Sequence, residues 1–265
     1  MLFDTFIYTT TPSFLGIERG DDYPVYIIDI DKSLVSSLQQ HLKRYKLRSK
    51  FQMQQIPESQ LQLFSVWPSL PSSSAISSLS ITDPRSPHLG SRLLTSTAPS
   101  MPLHPEIVYH LRRTLHGVPE GPLEILEQQA LPAESNLDVM NGVDYTKGCY
   151  VGQELTSRTY HTGVIRKRLL PFVAFTKHSQ EPATLSYNPQ MEVELPPPGT
   201  GFIAEGEKRS PGRWMRGWGN LGWGLCRLDY VGKVLRCEWA GREVFVKPFL
   251  PEWADGQTET GSVEQ

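Results

Sequence analysis

KGCYVGQELTSR, residues 147–158, sets one of the chain's three cysteines between a glycine and a tyrosine, with a cation two places before it. Gly148 lets the backbone approach another group closely or take an unusual angle. The run VGQELTSR has the polar content of an exposed helix opening, with Gln153, Glu154 and Arg158 on that helix. A thiol at a helix N-terminus beside Lys147 feels a positive local field, which favours thiolate, the form that attacks or binds metal. The same residue, flanked by Tyr150 and Val151, also reads as a small buried hydrophobe, and the residues alone leave both readings open.

Cys226 and Cys237 fall in strand-like segments with no C-x-x-C pattern, and a structural role is expected for them. An iron–sulfur cluster or a structural zinc usually wants four protein ligands. One exposed thiolate encloses neither, so a cluster at Cys149 requires a second protein to bring the remaining ligands. Downstream, HTGVIRKR contributes His161, Arg166, Lys167 and Arg168. Such basic clusters are most often solvated faces, yet the positive charge would also suit a thiolate, an anionic cluster or the glutamate tail of a folate.

Upstream, HPEIVYHLRRTLHG is helical by pattern, with Ile107, Val108, Leu111 and Leu115 on one side and Gly117 as a stop. The chain opens with an expected strand over 2–9, then the strand YPVYIIDI, then an amphipathic helix. That helix carries Leu34, Val35, Leu38, Leu42 and Tyr45 at helical spacing, Asp31 as N-cap and Lys43, Arg44 and Lys46 at its end. KFQMQQI is expected as a further strand, QLFSVW as a short one, and the Pro/Ser-rich PSLPSSSAISSLS as a surface loop. Strand, helix, strand is the unit of an α+β or α/β layer fold. Beyond Pro171, pieces such as LLPFVAF, GWGLCRLDYV and REVFVKPFL, separated by Pro/Gly turns, predict a small all-β barrel or sandwich. The polar tail DGQTETGSVEQ is expected to be disordered.

Composition bounds the rest. A chain of 265 residues suits two modest cores. A net charge of −2 gives no overall pull toward nucleic acid or anionic membrane, and no apolar run approaches the roughly 20 residues of a span. Three cysteines make no disulfide framework, which suits a reducing interior. MLFDTFIYTT has neither a basic leader nor a secretory signal, and a chain opening on a buried strand suggests residues missing upstream.

KGCYVGQE (147–154) with Arg158 closely resembles the K-G-C-[YF]-x-G-Q-E signature of the YgfZ/GcvT-related family. GVPEG (117–121), LPAESNLDVMNGV (131–143) and HTGVIRKRLLP (161–171) look like the flanking blocks of its eukaryotic branch, the Iba-type mitochondrial iron–sulfur cluster assembly factors. The resemblance implies an α+β fold: a GcvT-like folate-binding-type core with ferredoxin-like elements over 1–168, lacking its N-terminal part, then a C-terminal β-barrel over 169–250 and the tail over 251–265. It implies a non-enzymatic role in maturing [4Fe-4S] proteins in the mitochondrial matrix, with A-type carrier proteins as partners and no direct nucleic-acid or membrane contact. Lys147, Gly148, Cys149, Tyr150, Gly152, Gln153, Glu154 and Arg158 form the implied cluster-handling motif. Cys149 is its metal ligand, toward a [2Fe-2S] cluster shared with the partner.

The alternative that the resemblance carries is a tetrahydrofolate-dependent aminomethyl transferase, with Glu134 as a candidate partner for a pterin ring. Where such transferases carry an Asp-Asp pair, this chain has Asp4 beside Thr5, which weakens the case for turnover. A third reading is a purely structural adaptor with Cys149 packed and inert.

Overall fold

The computed structural model describes residues 3–17, 23–70, 73–75, 78–150 and 152–252. By compactness the chain divides into two units, residues 2–104 and the chain from Pro105 onward.

In the first unit β1 (Phe6–Thr10) pairs antiparallel with β2 (Val25–Asp29), placing Tyr8 opposite Ile27. Both side chains are buried with Leu79 and Leu94, and their neighbours Ile7 and Ile28 point the other way and are exposed, as the period of two requires. Arg92 holds this corner together: its Nε donates to the Tyr8 hydroxyl at 2.7 Å, and its guanidinium pairs with Asp29 and lies over the Phe6 ring. Burial pushes the Tyr8 phenol up to about 12.

Asp31 caps as expected, its carboxylate accepting from the Ser33 backbone N–H at 2.8 Å. The cap opens a 3-10 turn that leads into α1 (Val35–Lys46). KFQMQQI is no strand: residues 50–56 have no regular structure. Phe51 and Met53 alternate with glutamines but Ile56 falls out of step, and a strand exists only where a ladder partner offers its edge. β3 (Gln62–Val66) is followed by β4 (Ser73–Ala75), β5 (Ser78–Thr82) and β6 (Ser91–Thr95) in the sheet order β3-β6-β5-β4. Part of the Ser-rich stretch expected as loop is therefore sheet. Leu79 faces Leu94 across the β5–β6 ladder and is buried, as is Ser80 beside it.

The second unit opens with α2 (Glu106–Leu115), which Gly117 ends in the left-handed conformation. The face it buries is not the Ile107 side but the one carrying Arg113 and Thr114. Arg113 donates to both Glu124 oxygens at 2.6 Å, which allows a charge to sit in the interior. His110 stacks on Trp218, with centroids 4.7 Å apart.

After α3 (Gln153–Thr162) come β7 (Lys167–Phe175), β8 (Phe202–Ile203), β9 (Gly212–Trp218), β10 (Leu221–Arg227), β11 (Leu235–Trp239) and β12 (Arg242–Pro248). They form one antiparallel sheet in the order β8-β11-β12-β7-β10-β9. Its two edges meet: Gly199 N–H donates to Trp214 O and Trp214 N–H to Thr200 O, each at 2.8 Å, so the sheet closes as a barrel.

Leu170, Phe172 and Ala174 of β7 fill the barrel with Phe202, Trp214, Cys226, Cys237, Val244 and Val246. Each large apolar side chain so buried stabilises the fold by about 1.5–3 kcal/mol. Leu169 turns the other way, under Ile125, Met215 and Trp223, so β7 is covered on both faces. Gly224 makes room for the rings, because a Cβ there would lie 2.5 Å from Phe202 and 2.7 Å from Phe172. The tail expected to be disordered lies, beyond residue 252, outside the described residues.

Candidate functional site

The segment ahead of the cysteine motif is nailed to the barrel. Arg168, expected on a solvated face, is instead buried and donates to Asp138 through two hydrogen bonds of 2.8 Å and to Ala133 O at 2.7 Å. The planar fork of arginine matches a carboxylate in this way, which a lysine would not. Asn136, fully buried and left-handed at φ 63°, donates to Leu169 O at 2.7 Å, and Leu169 N–H donates to Glu134 O at the same distance. β7 therefore fixes residues 133–138.

Glu134 projects from this fixed turn with its side chain largely covered, and its carboxylate pairs with Lys167 Nζ at 3.4 Å. It lines an open cleft with Leu131, Pro132, Leu155, Ile165 and Arg166.

Residues 144–150 then cross to α3 as a loop. Asp144 accepts from Thr146 N–H at 2.8 Å and from its hydroxyl at 2.7 Å, bonds that hold the Asp144 carboxyl below its usual range. The Tyr145 ring stacks on Tyr160 of α3, centroids 3.9 Å apart and planes 20° off parallel. Burial and the nearby Asp138 charge push the Tyr145 phenol up.

Cys149 is exposed on this loop, as are Lys147 and Gly148. The reading of Cys149 as a packed side chain is thereby overturned. It is Cys226 and Cys237 that are sealed in the barrel, where burial pushes both thiols up to about 12.

The cysteine does not sit on the first turn of the helix, as the motif suggested. Gly152 is the N-cap, left-handed at φ 89°, and two residues separate Cys149 from it. Lys147 reaches the Tyr150 ring, its Nζ 4.8 Å from the centroid. Gln153 and Tyr150 tie the helix start together: Tyr150 N–H donates to Gln153 Oε1 at 3.3 Å, and Gln153 N–H to Tyr150 O at 3.2 Å. That is a reciprocal closure of the kind a capping box makes. Glu154 and Arg158 pair one turn apart at 2.9 Å on the exposed face of α3, an arrangement whose worth is mostly solubility.

The structure thus gathers Lys147, Gly148, Cys149, Tyr150, Gly152 and Gln153 at one loop–helix junction. It sets Glu154 and Arg158 on the outer face and Glu134 in the cleft. Asp4 lies two residues before β1, in the other unit. Asn136, Asp138, Tyr145 and Tyr160 anchor the junction and escaped the sequence reading. The two tyrosines were the visible signal, as aromatic residues on either side of the motif.

A closed six-stranded antiparallel barrel, carrying on its first strand the anchor of a loop that offers a thiol to solvent, defines a class of protein. Residues 166–256 match the family model described as CAF17, C-terminal beta-barrel domain. The chain is 37% identical over 311 residues to the protein of Coccidioides immitis named iron-sulfur cluster assembly factor IBA57 homolog, mitochondrial, covering 100% of this chain and 73% of that one. The Aspergillus oryzae protein of the same name is 33% identical, with 100% and 72% covered. The Neosartorya fischeri one is 39% identical over 267 residues, with 89% of this chain and 59% of that one covered. The chain belongs to the IBA57 family of iron–sulfur cluster assembly factors. It spans less than two thirds of the length of several relatives it matches.

Proposed function

We infer that this chain acts in iron–sulfur cluster assembly for [4Fe-4S] proteins of the mitochondrial matrix, lending Cys149 to a [2Fe-2S] cluster carried by an A-type partner. The single observation that carries the reading is the contrast among its cysteines: Cys149 stands exposed on an anchored loop while Cys226 and Cys237 are locked in the barrel. One reachable thiol supplies one ligand, so the cluster is cargo shared with a polypeptide that brings the others. The thiol gives up its proton as sulfur bonds to iron, so formation of the shared site releases protons and weakens in acid. Lys147, two positions before Cys149 and likewise exposed, adds positive charge that suits an anionic cluster. The mitochondrial setting follows the names of the relatives. The same kinship supports reading residues 1–168 as part of a GcvT-like α+β core.

The test mixes the protein with an A-type carrier loaded with [2Fe-2S] and follows visible absorption and size exclusion. Wild type is expected to shift both, and Cys149→Ser to shift neither. An identical complex and spectrum with the serine variant overturns the reading.

One observation favours a second ligand. The cleft beside Glu134 joins apolar walls to a carboxylate, as a pterin ring would require, although that carboxylate would have to exchange its Lys167 partner. Tetrahydrofolate would bind there without turnover. Calorimetric titration with tetrahydrofolate, repeated on Glu134→Gln, tests this, and no heat from the wild type removes it.

A further inference from the structure

We propose that the Tyr145–Tyr160 stack is the positioning element of the cysteine loop, a clamp that presents Cys149 for cluster sharing. The inference rests on the role given to Cys149 above but is read from different residues. Along residues 144–150 the hydrogen bonds and ring contacts of the described residues are local. Asp144 bonds to Thr146, Lys147 lies over Tyr150, and Tyr150 bonds to Gln153 at the start of α3. The exception is Tyr145, whose ring lies on Tyr160, nearly two turns into α3.

Tyr160 is 56% exposed, so it holds up no core, and burial of its own apolar area does not account for its place. What it supplies is a flat partner for the loop. Tyr145 sits close enough to Asp138 and Arg168 for both charges to act on its phenol, so the clamp stands next to the ion pair that fixes the preceding segment to β7. Strand β7, the 133–138 turn, Tyr145 and α3 thus form one continuous path. Gly148 has open space around its α-carbon and Gly152 holds a left-handed angle, so the stretch carrying Cys149 has little stiffness of its own. With the stack intact the thiol is pre-ordered. Without it, binding a cluster would first have to order the loop, which costs affinity.

An aromatic pair of this kind contributes enough that Tyr160→Ala should weaken the cluster-bridged complex by roughly threefold to tenfold, while Tyr160→Phe, which keeps the ring, should restore it. Two readouts on the full chain separate this from general damage. Hydrogen–deuterium exchange of residues 144–150 should quicken in Tyr160→Ala alone, with the melting temperature unchanged. Titration with the [2Fe-2S]-loaded A-type carrier should then weaken in Tyr160→Ala alone.

Unchanged exchange in Tyr160→Ala overturns the proposal. So does a complex as tight as wild type when Cys149→Ser has abolished it. If Cys149→Ser forms the complex normally while Tyr160→Ala still quickens exchange, the clamp on the loop stands and the role assigned to Cys149 falls.

Discussion

Arg168 and Asp138 meet through two parallel hydrogen bonds of 2.8 Å, joining the first barrel strand to the turn that leads into the cysteine loop. Both side chains are largely covered, at 7% and 16% exposure, so neither charge can turn to water when its partner is removed. Arg168→Ala should cost about 3–5 kcal/mol, because it strands the Asp138 carboxylate and frees the Ala133 carbonyl. Arg168→Met combined with Asp138→Leu should cost less than the single alanine change. Urea unfolding of the three proteins checks the order.

Thiol labelling gives a direct count. At neutral pH a small alkylating reagent should modify one cysteine of the folded protein rapidly and all three in urea, since Cys226 and Cys237 are fully buried with their thiols pushed up. Cys149→Ser should lose the fast phase entirely. Fast labelling of a second site in the folded state would contradict the sealed barrel.

The barrel interior should tolerate no added methyl at Gly224. A Cβ there would meet Phe202 and Phe172 at 2.5 and 2.7 Å, so Gly224→Ala forces the rings to move and should cost roughly 1–3 kcal/mol. Thermal unfolding measures it. A variant as stable as wild type would show that the ring packing is looser than described.

His110 sets an acid-side slope. Burial against Trp218 and the Arg113 charge hold its imidazole below the ordinary histidine value, with Arg216 adding and Glu106 and Glu120 opposing. Just below the unfolded value of about 6.5 the unfolded chain binds a proton that the folded one refuses, so stability falls as pH drops through that window and levels off beneath the folded value. His110→Phe keeps the stack without the titration. Its stability between pH 5 and 7.5 should vary less steeply than that of wild type, as urea midpoints across the range would show.

Much of this was legible in the chain, and the failures have physical causes. The barrel strands announce themselves because β-branched and aromatic residues alternate between turn residues, and Asp31 and Gly117 mark helix ends with local chemistry. KFQMQQI misleads because a short run with scattered apolar residues does not say whether an edge exists to pair with it. The Ser-rich stretch misleads in the opposite sense, as composition suggested a loop where Leu79 and Leu94 make a ladder.

At the site, Cys149 and the helix opening after it could be read from the motif, though not that Gly152 caps that helix. Arg168 could not, because its neighbours Arg166 and Lys167 give it the look of a solvated run, and its partner Asp138 lies thirty positions earlier. The textural change near Pro171 marks where strands begin. The compact unit reaches back to Pro105 because the His110–Trp218 stack and the Arg168–Asp138 pair tie the helical stretch to the barrel strands.

Native mass spectrometry of the protein with a [2Fe-2S]-loaded A-type carrier bears most directly on the claim that Cys149 completes a shared cluster. The account predicts a species with the summed mass of both chains plus two irons and two sulfides for wild type, and its loss in Cys149→Ser. The same cluster-bearing species from the serine variant, at equal abundance, would contradict it.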